Sequence, residues 1–350
     1  MIKDRTQIDD SLEGAYAAYE HACEQGWTDG LPIVPPTETR LAAMLAAVDM
    51  KPDHVVARVA SRNGEATVER IAVNAVMAGC KPKYLPVLVA VVEAMTDLKF
   101  ELAGIQTTTN PVCLLTVVNG PVRKALDINC AYGCMGPGWR ANATIGRAVR
   151  LIQLNVGGAI PGAVSKSTQG QPGRYTFCFG EWEERSPWGP WHVERGFRAD
   201  ESTVTLVAAT GTTNMTNSQS KDADGLLRTF AHSMEAVGSI NMWPFFGLGE
   251  MLVVLNPDHA ALLAREGMSR RDVQNALLER TSKVPLEHWP KDFHADYVRT
   301  GRAKDGFTPL ANRPEQFQLI VAGGDSGLHS VFVPTFGDSY FVSRPIRGKK

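Results

Sequence analysis

The stretch Gly104–Gly158, GIQTTTNPVCLLTVVNGPVRKALDINCAYGCMGPGWRANATIGRAVRLIQLNVGG, decides the fold. Its apolar run Cys113–Val118 is short and ends in an Asn-Gly-Pro turn, which reads as a strand buried on both faces. A Gly- and Cys-rich loop follows. Residues 144–156 then read as a helix, opened by Asn142 or Thr144, with Arg147 and Arg150 on one face. Gly157-Gly158 ends it.

The pattern returns downstream. EMLVVLNPDHAALL at 250–263 repeats the order of CLLTVVNGPVRKAL at 113–126: buried strand, Asn, Pro turn, helix start. It points to an internal duplication of an α-β-α unit. QLIVAGGDSGLHSVFVPTF is a third strand leading into a glycine turn.

Outward from these strands, helices and strands alternate. Residues 11–26 carry a helical pattern, and the Pro-rich arm GWTDGLPIVPPTETR precedes a helix over Leu41–Val48. HVVARVA and RNGEA predict a hairpin around Asn-Gly. Thr67 caps the helix VERIAVNAVMAG, and KPKYLPVLVAVVEAMTD reads as a second, largely buried helix with Pro86 in its first turn. Tyr175–Phe179 and STVTLVAAT read as strands and GTTNMTNSQS as a polar loop. Helices capped by Ser220 or Asp222 and by Ser269 come next. Residues 283–314 read as irregular and IRGKK as a solvated tail. The alternation predicts an α/β fold, divided as 1–66, 67–200 and 201–350. No GxGxxG follows a strand, so the dinucleotide fingerprint is missing.

At 350 residues, 44% hydrophobic and 21% charged, the composition is globular. Net charge is −1 and the sequence pI about 6.7, which disfavours nucleic acid and anionic lipid as partners. The N-terminal residues lack an apolar signal region, and Tyr84–Met95 is too short and interrupted to span a bilayer, so a cytoplasmic protein is expected. Six cysteines form no disulfide framework.

Ligands of open α/β sheets bind at the carboxyl ends of strands, so the candidate residues are sought in the turns. Asn119 lies in the first of them. Cys130 and Cys134 form a CxxxC, a candidate redox pair or nucleophile. In GPGWRANATIGR, Arg140 and the helix start at Asn142 and Thr144 offer a place for a carboxylate or phosphate. In FGEWEERSPWGPWHVERGF, His192 oriented by Glu194 would move protons. Asp325, Ser326 and His329 crowd a Gly-rich turn without matching GxSxG. Two Thr/Asn-rich loops, 107–111 and 211–217, could line a polar pocket. No ligand spacing calls for a metal, and no cofactor is expected.

DGLPIVPPT, AVNAVMAGCKPKYLPV, GPGWRANATIGRA and SPW…HVERGF resemble a group of uncharacterised bacterial proteins, often labelled thioredoxin-like or hypothetical. They are similar to the long companions of small UGSC-type (seleno)proteins, which carry a U/C-G-S-C loop. The resemblance spans residues 26–335. It implies a two-protein system in which a partner's thiol or selenol attacks a small substrate and this chain supplies the pocket. The chain itself has no CGSC.

The expectation is therefore an enzyme, or the large subunit of a heteromeric one, acting on a small polar or anionic molecule. Its reaction would be reductive or lytic cleavage of a C–heteroatom bond with a Cys/Sec partner protein. Two alternatives stand beside it: a stand-alone hydrolase or lyase using His192 and a carboxylate or Ser326 and His329, and a non-catalytic binding or scaffold subunit. An oligomer is expected.

Overall fold

A computed structural model describes residues 11–247 and 249–349. Helices and mixed sheets interleave, and the fold is α/β.

The strand Cys113–Asn119 is wholly buried. Its odd residues Cys113, Leu115 and Val117 face one apolar core, while Leu114 and Val118 face another. A strand covered on both sides needs a continuous apolar run rather than alternation, and the sequence supplies one. Cys113–Asn119 lies parallel to Cys178–Gly180 and antiparallel to Thr203–Ala209, which pairs in turn with Val342–Pro345.

The second sheet repeats this plan. Met251–Leu255 is its central strand, parallel to Phe317–Val321 and antiparallel to His329–Val333, which pairs with Thr213–Thr216. The 113–126 and 250–263 segments thus hold equivalent positions in two four-stranded sheets. Leu252, Val254, Ile320 and Val333 meet Leu115, Val117, Phe179 and Val207 in a core between the sheets. Helices Val68–Ala78, Leu85–Met95 and Arg140–Asn155 cover the outer face of the first sheet. Helices Ala223–Met234, Pro257–Arg265 and Arg270–Arg280 contribute to the core on the outer face of the second. The layers run helix, sheet, sheet, helix.

The fourth strands are exchanged. Thr213–Thr216 follows the first sheet's Thr203–Ala209 but joins the second sheet, and Val342–Pro345 follows the second sheet's His329–Val333 but joins the first. The connections are hydrogen-bonded where they pass: Thr210 N donates to Pro334 O at 2.8 Å and Phe336 N to Ala208 O at 2.9 Å. A cut at residue 200/201 therefore does not separate the sheets.

Some local expectations hold and others change. Val55–Val59 and Gly64–Thr67 form the hairpin, and Thr67 caps its helix. The strand expected at Tyr175–Phe179 is Cys178–Gly180, because Pro172–Arg174 forms a 3-10 turn before it. GTTNMTNSQS is partly an edge strand, its polar side chains tolerated at the sheet margin. The 283–314 segment contains a helix, Lys291–Arg299, which buries Tyr297. Neither Asn142 nor Thr144 caps a helix. That helix begins at Arg140, with Trp139 at its N-cap position and no side-chain cap.

Candidate functional site

The strand ends of both sheets converge. Trp182 N donates to Val321 O at 2.6 Å, and Gly323 N to Cys130 O at 2.9 Å. Tyr132 hydrogen-bonds Asp325, and Arg185 pairs with the same carboxylate at 3.1 Å. The Gly-rich loop of the first sheet thus meets the Gly323–Asp325 turn of the second. The Tyr132 ring packs directly on Gly324, where a Cβ would lie 2.2 Å from it and would push that exposed ring aside.

At this junction lies a layered polar cluster. Its inner layer, Asn119, Glu181 and His192, is fully buried. Asn119 Nδ2 donates to Glu181 Oε2 at 2.5 Å and to Glu183 Oε1 at 3.0 Å. Trp191 N donates to Glu181 Oε2 at 2.7 Å, and Arg270 stands 3.9 Å from Glu181 Oε1. Burial pushes the Glu181 carboxyl up to about 7 despite Arg270 and these donors. His192 Nε2 donates to Arg198 O at 3.1 Å, which leaves Nδ1 facing Glu183 Oε1 across 3.8 Å. Glu181 Oε1, His192 Nδ1, Asn119 Oδ1 and Arg123 Nε are all buried without a hydrogen-bond partner.

The outer layer reaches solvent. Gly120 N donates to Glu183 Oε1 at 2.6 Å. Arg123 spends Nη2 on Glu183 at 3.4 Å and on Glu184 at 2.8 Å, and turns Nη1 to Cys130 Sγ at 3.3 Å. Lys124 adds a second cation to Glu184 at 2.7 Å. Partial burial favours the neutral acid at Glu184, but the hydrogen bonds from Arg123 and Lys124 bring it down to about 2. Burial raises the half-buried Cys130 thiol, and Arg123 opposes that rise.

The expected site residues are dispersed around this cluster. Asn119, His192 and Cys130 belong to it. Glu194 does not orient His192; it pairs with Arg270 at 2.7 Å, and the carboxylate beside His192 is Glu183. Cys134 is buried in apolar surroundings and pushed up to about 12, unlike Cys130. Arg140 donates Nε and Nη2 to Gly79 O at 3.0 and 2.9 Å, capping the 68–78 helix. Asn142 is buried and ties the loop together, accepting from Asn129 N at 2.8 Å and donating to Asn129 O and Cys134 O. Thr144 Oγ1 turns back to Arg140 O. Asp325 faces Tyr132 and Arg185, whereas His329 Nδ1 lies 3.2 Å from both Asn214 and Thr216, so Asp325 and His329 have separate partners. Ser326 is exposed on that turn.

Glu183 was not singled out from sequence, whereas Glu181 stands out in the same run as His192 and Arg123 as an arginine near the loop thiols. The signal for the glutamates was their position directly after a strand, GEWEER, opposite the Asn-Gly-Pro turn. Among the described residues, no three His, Cys, Asp or Glu side chains are grouped to hold a metal ion. No described helix is long and apolar enough to cross a membrane.

No protein-family model matches the chain, and no curated protein matches it.

Proposed function

We propose that the chain is an enzyme, or the larger subunit of one, acting on a small polar or anionic molecule at the Cys130–Arg123–Glu183 rim. One observation carries this reading: a half-buried thiol shares a guanidinium with two carboxylates, above a buried carboxylate–histidine layer with unpaired polar atoms. Such an arrangement costs stability, and an apolar replacement would hold the sheets together as well or better. Perturbed, desolvated groups at strand ends are the usual marks of a reaction site.

In this reading Glu183 takes or returns a proton and Arg123 steadies negative charge developing on the substrate. His192, Asn119 and Glu181 are positioning residues behind them. For reductive cleavage of a C–heteroatom bond, Cys130 and the thiol or selenol of a U/C-G-S-C partner supply two electrons and two protons. The substrate R–X leaves as R–H and HX, and the two sulfurs, or sulfur and selenium, end joined.

The test needs no substrate. The chain is mixed with a purified C-G-S-C protein, oxidised with diamide, quenched with a maleimide and mapped by mass spectrometry. The expected product is a mixed disulfide at Cys130, lost in Cys130→Ser. Bridges that form only at the exposed Cys23, or no bridge at all, would remove the partner from the proposal. Unchanged Cys130 reactivity in Arg123→Met would remove the rim.

A further inference from the structure

A second site lies away from these strand ends. The loop 161–175 and the N-terminal arm enclose a pocket of about 600 Å³ against the 140–155 helix, within the range of small-molecule sites. Arg150 and Arg174 both line it. They also line a small neighbouring cavity, so the two share this pair of side chains. Among the described residues neither arginine has a carboxylate within ion-pair distance.

The one acidic side chain in the wall is Asp29, and it is spent. Arg147 holds it at both oxygens, Nε to Oδ2 at 2.9 Å and Nη2 to Oδ1 at 2.8 Å. Leu31 N also donates to Oδ1, at 3.2 Å. Asp29 and Arg147 cancel, which leaves two positive charges facing one pocket. Arg174 Nη2 donates to Ser165 Oγ at 2.8 Å and Arg150 Nη2 to Ala159 O at 3.2 Å, so both forks are fixed in place with N–H groups to spare. Ser167, also in the wall, has a buried Oγ with no hydrogen-bond partner. Burial, reinforced by the charge of Arg174, brings Arg150 down to about 10. Two desolvated like charges are costly unless an anion joins them.

We infer that this pocket binds a small organic anion, its carboxylate or phosphate held between Arg150 and Arg174 and its apolar body against Leu154, Pro161 and Tyr175. Arginine forks match both oxyanions in a bidentate manner. The inference uses no residue of the Cys130 rim and stands or falls separately from the proposed function.

Isothermal titration calorimetry at pH 7.5 and moderate salt tests it, with benzoate, phenyl phosphate, inorganic phosphate and benzyl alcohol as probes. At least one of the two aromatic anions is expected to bind the wild-type chain, more tightly than inorganic phosphate, while benzyl alcohol gives no heat. Arg174→Gln and Arg150→Gln should each weaken that anion by about tenfold to a hundredfold, the value of a charge-assisted hydrogen bond. Arg140→Gln, a surface arginine on the same helix, should bind as the wild type does. Circular dichroism checks each fold. Should Arg150→Gln misfold, Arg174→Gln and Ser167→Ala carry the test, the latter with a loss of several-fold. The inference is overturned if neither aromatic anion binds, if benzyl alcohol or inorganic phosphate binds as well, or if Arg174→Gln leaves affinity unchanged.

Discussion

Glu181→Gln isolates what the buried carboxyl does to the molecule. Glu181 is fully buried, and burial raises its carboxyl from an ordinary 4.5 to about 7. A raised folded-state value means that the folded chain holds the proton more tightly than the unfolded chain. The stabilisation is complete below about pH 4.5 and is lost as pH rises through about 7. A shift of this size corresponds to about 3 kcal/mol. Glutamine keeps the oxygen that accepts from Asn119 and Trp191 and removes the charge. Relative to the wild type, Glu181→Gln should therefore gain about 3 kcal/mol between pH 5 and pH 8.5. At about 2.1 cal/mol/K per residue over 350 residues, that is about 4 °C in Tm. Differential scanning calorimetry across this range reads the difference curve, and infrared spectroscopy should show one protonated carboxyl titrating near neutrality that Glu181→Gln lacks. Parallel curves for the two proteins, with no such band, would refute the reasoning.

Three further outcomes follow from single contacts. Asn256 caps the 257–265 helix through His259 N at 2.7 Å and donates to His329 O at 2.7 Å, so Asn256→Ala should cost about 2 kcal/mol in urea unfolding, with Asn256→Asp losing less. Asp29→Asn leaves Arg147, whose side chain is only 14% exposed, uncompensated. It should cost about 3 kcal/mol and open the 26–37 arm to limited proteolysis, where a digest like that of the wild type would contradict it. Gly120 has φ of 82° and a Cβ there would sit 2.1 Å from Glu201 O. Gly120→Ala should lower Tm by more than any of the Asn256 variants.

The buried strand at 113–118 and its echo at 251–255 were legible because a strand covered on both sides needs an uninterrupted apolar run. Their shared Asn-Pro turns pointed to equivalent positions, and the two sheets have the same order and sense of pairing. The exchange of the fourth strands was not legible. Thr213–Thr216 and Val342–Pro345 are edge strands, which tolerate polar residues and carry little hydrophobic pattern. Among the site residues, sequence proximity misled. Glu194 is two residues from His192, yet the chain turns it outward to Arg270, while Glu183 arrives at His192 from the preceding 3-10 turn. Arg140 stands at a helix start, but the nearer acceptor is the carbonyl left open at Gly79, where the 68–78 helix ends. Arg150 was placed on the helix face it shares with Arg147. That it lacks a carboxylate depends on the fold, because Asp29 comes from an arm more than a hundred residues away.

The central claim is that Arg123 and its glutamates govern the Cys130 thiol, and the rate of Cys130 alkylation tests it most directly. With the exposed Cys23 replaced by serine, iodoacetamide labelling is followed by peptide mass spectrometry from pH 7 to pH 10. Burial raises the Cys130 thiol, Arg123 lowers it, and Glu184 and Glu183 raise it again. Arg123→Met should therefore slow labelling and move its pH midpoint up, and Glu184→Gln should speed labelling and move the midpoint down. The buried Cys113 and Cys134, both pushed up to about 12, should stay unlabelled throughout. Identical profiles in all three proteins, or labelling of Cys134 ahead of Cys130, would contradict the account.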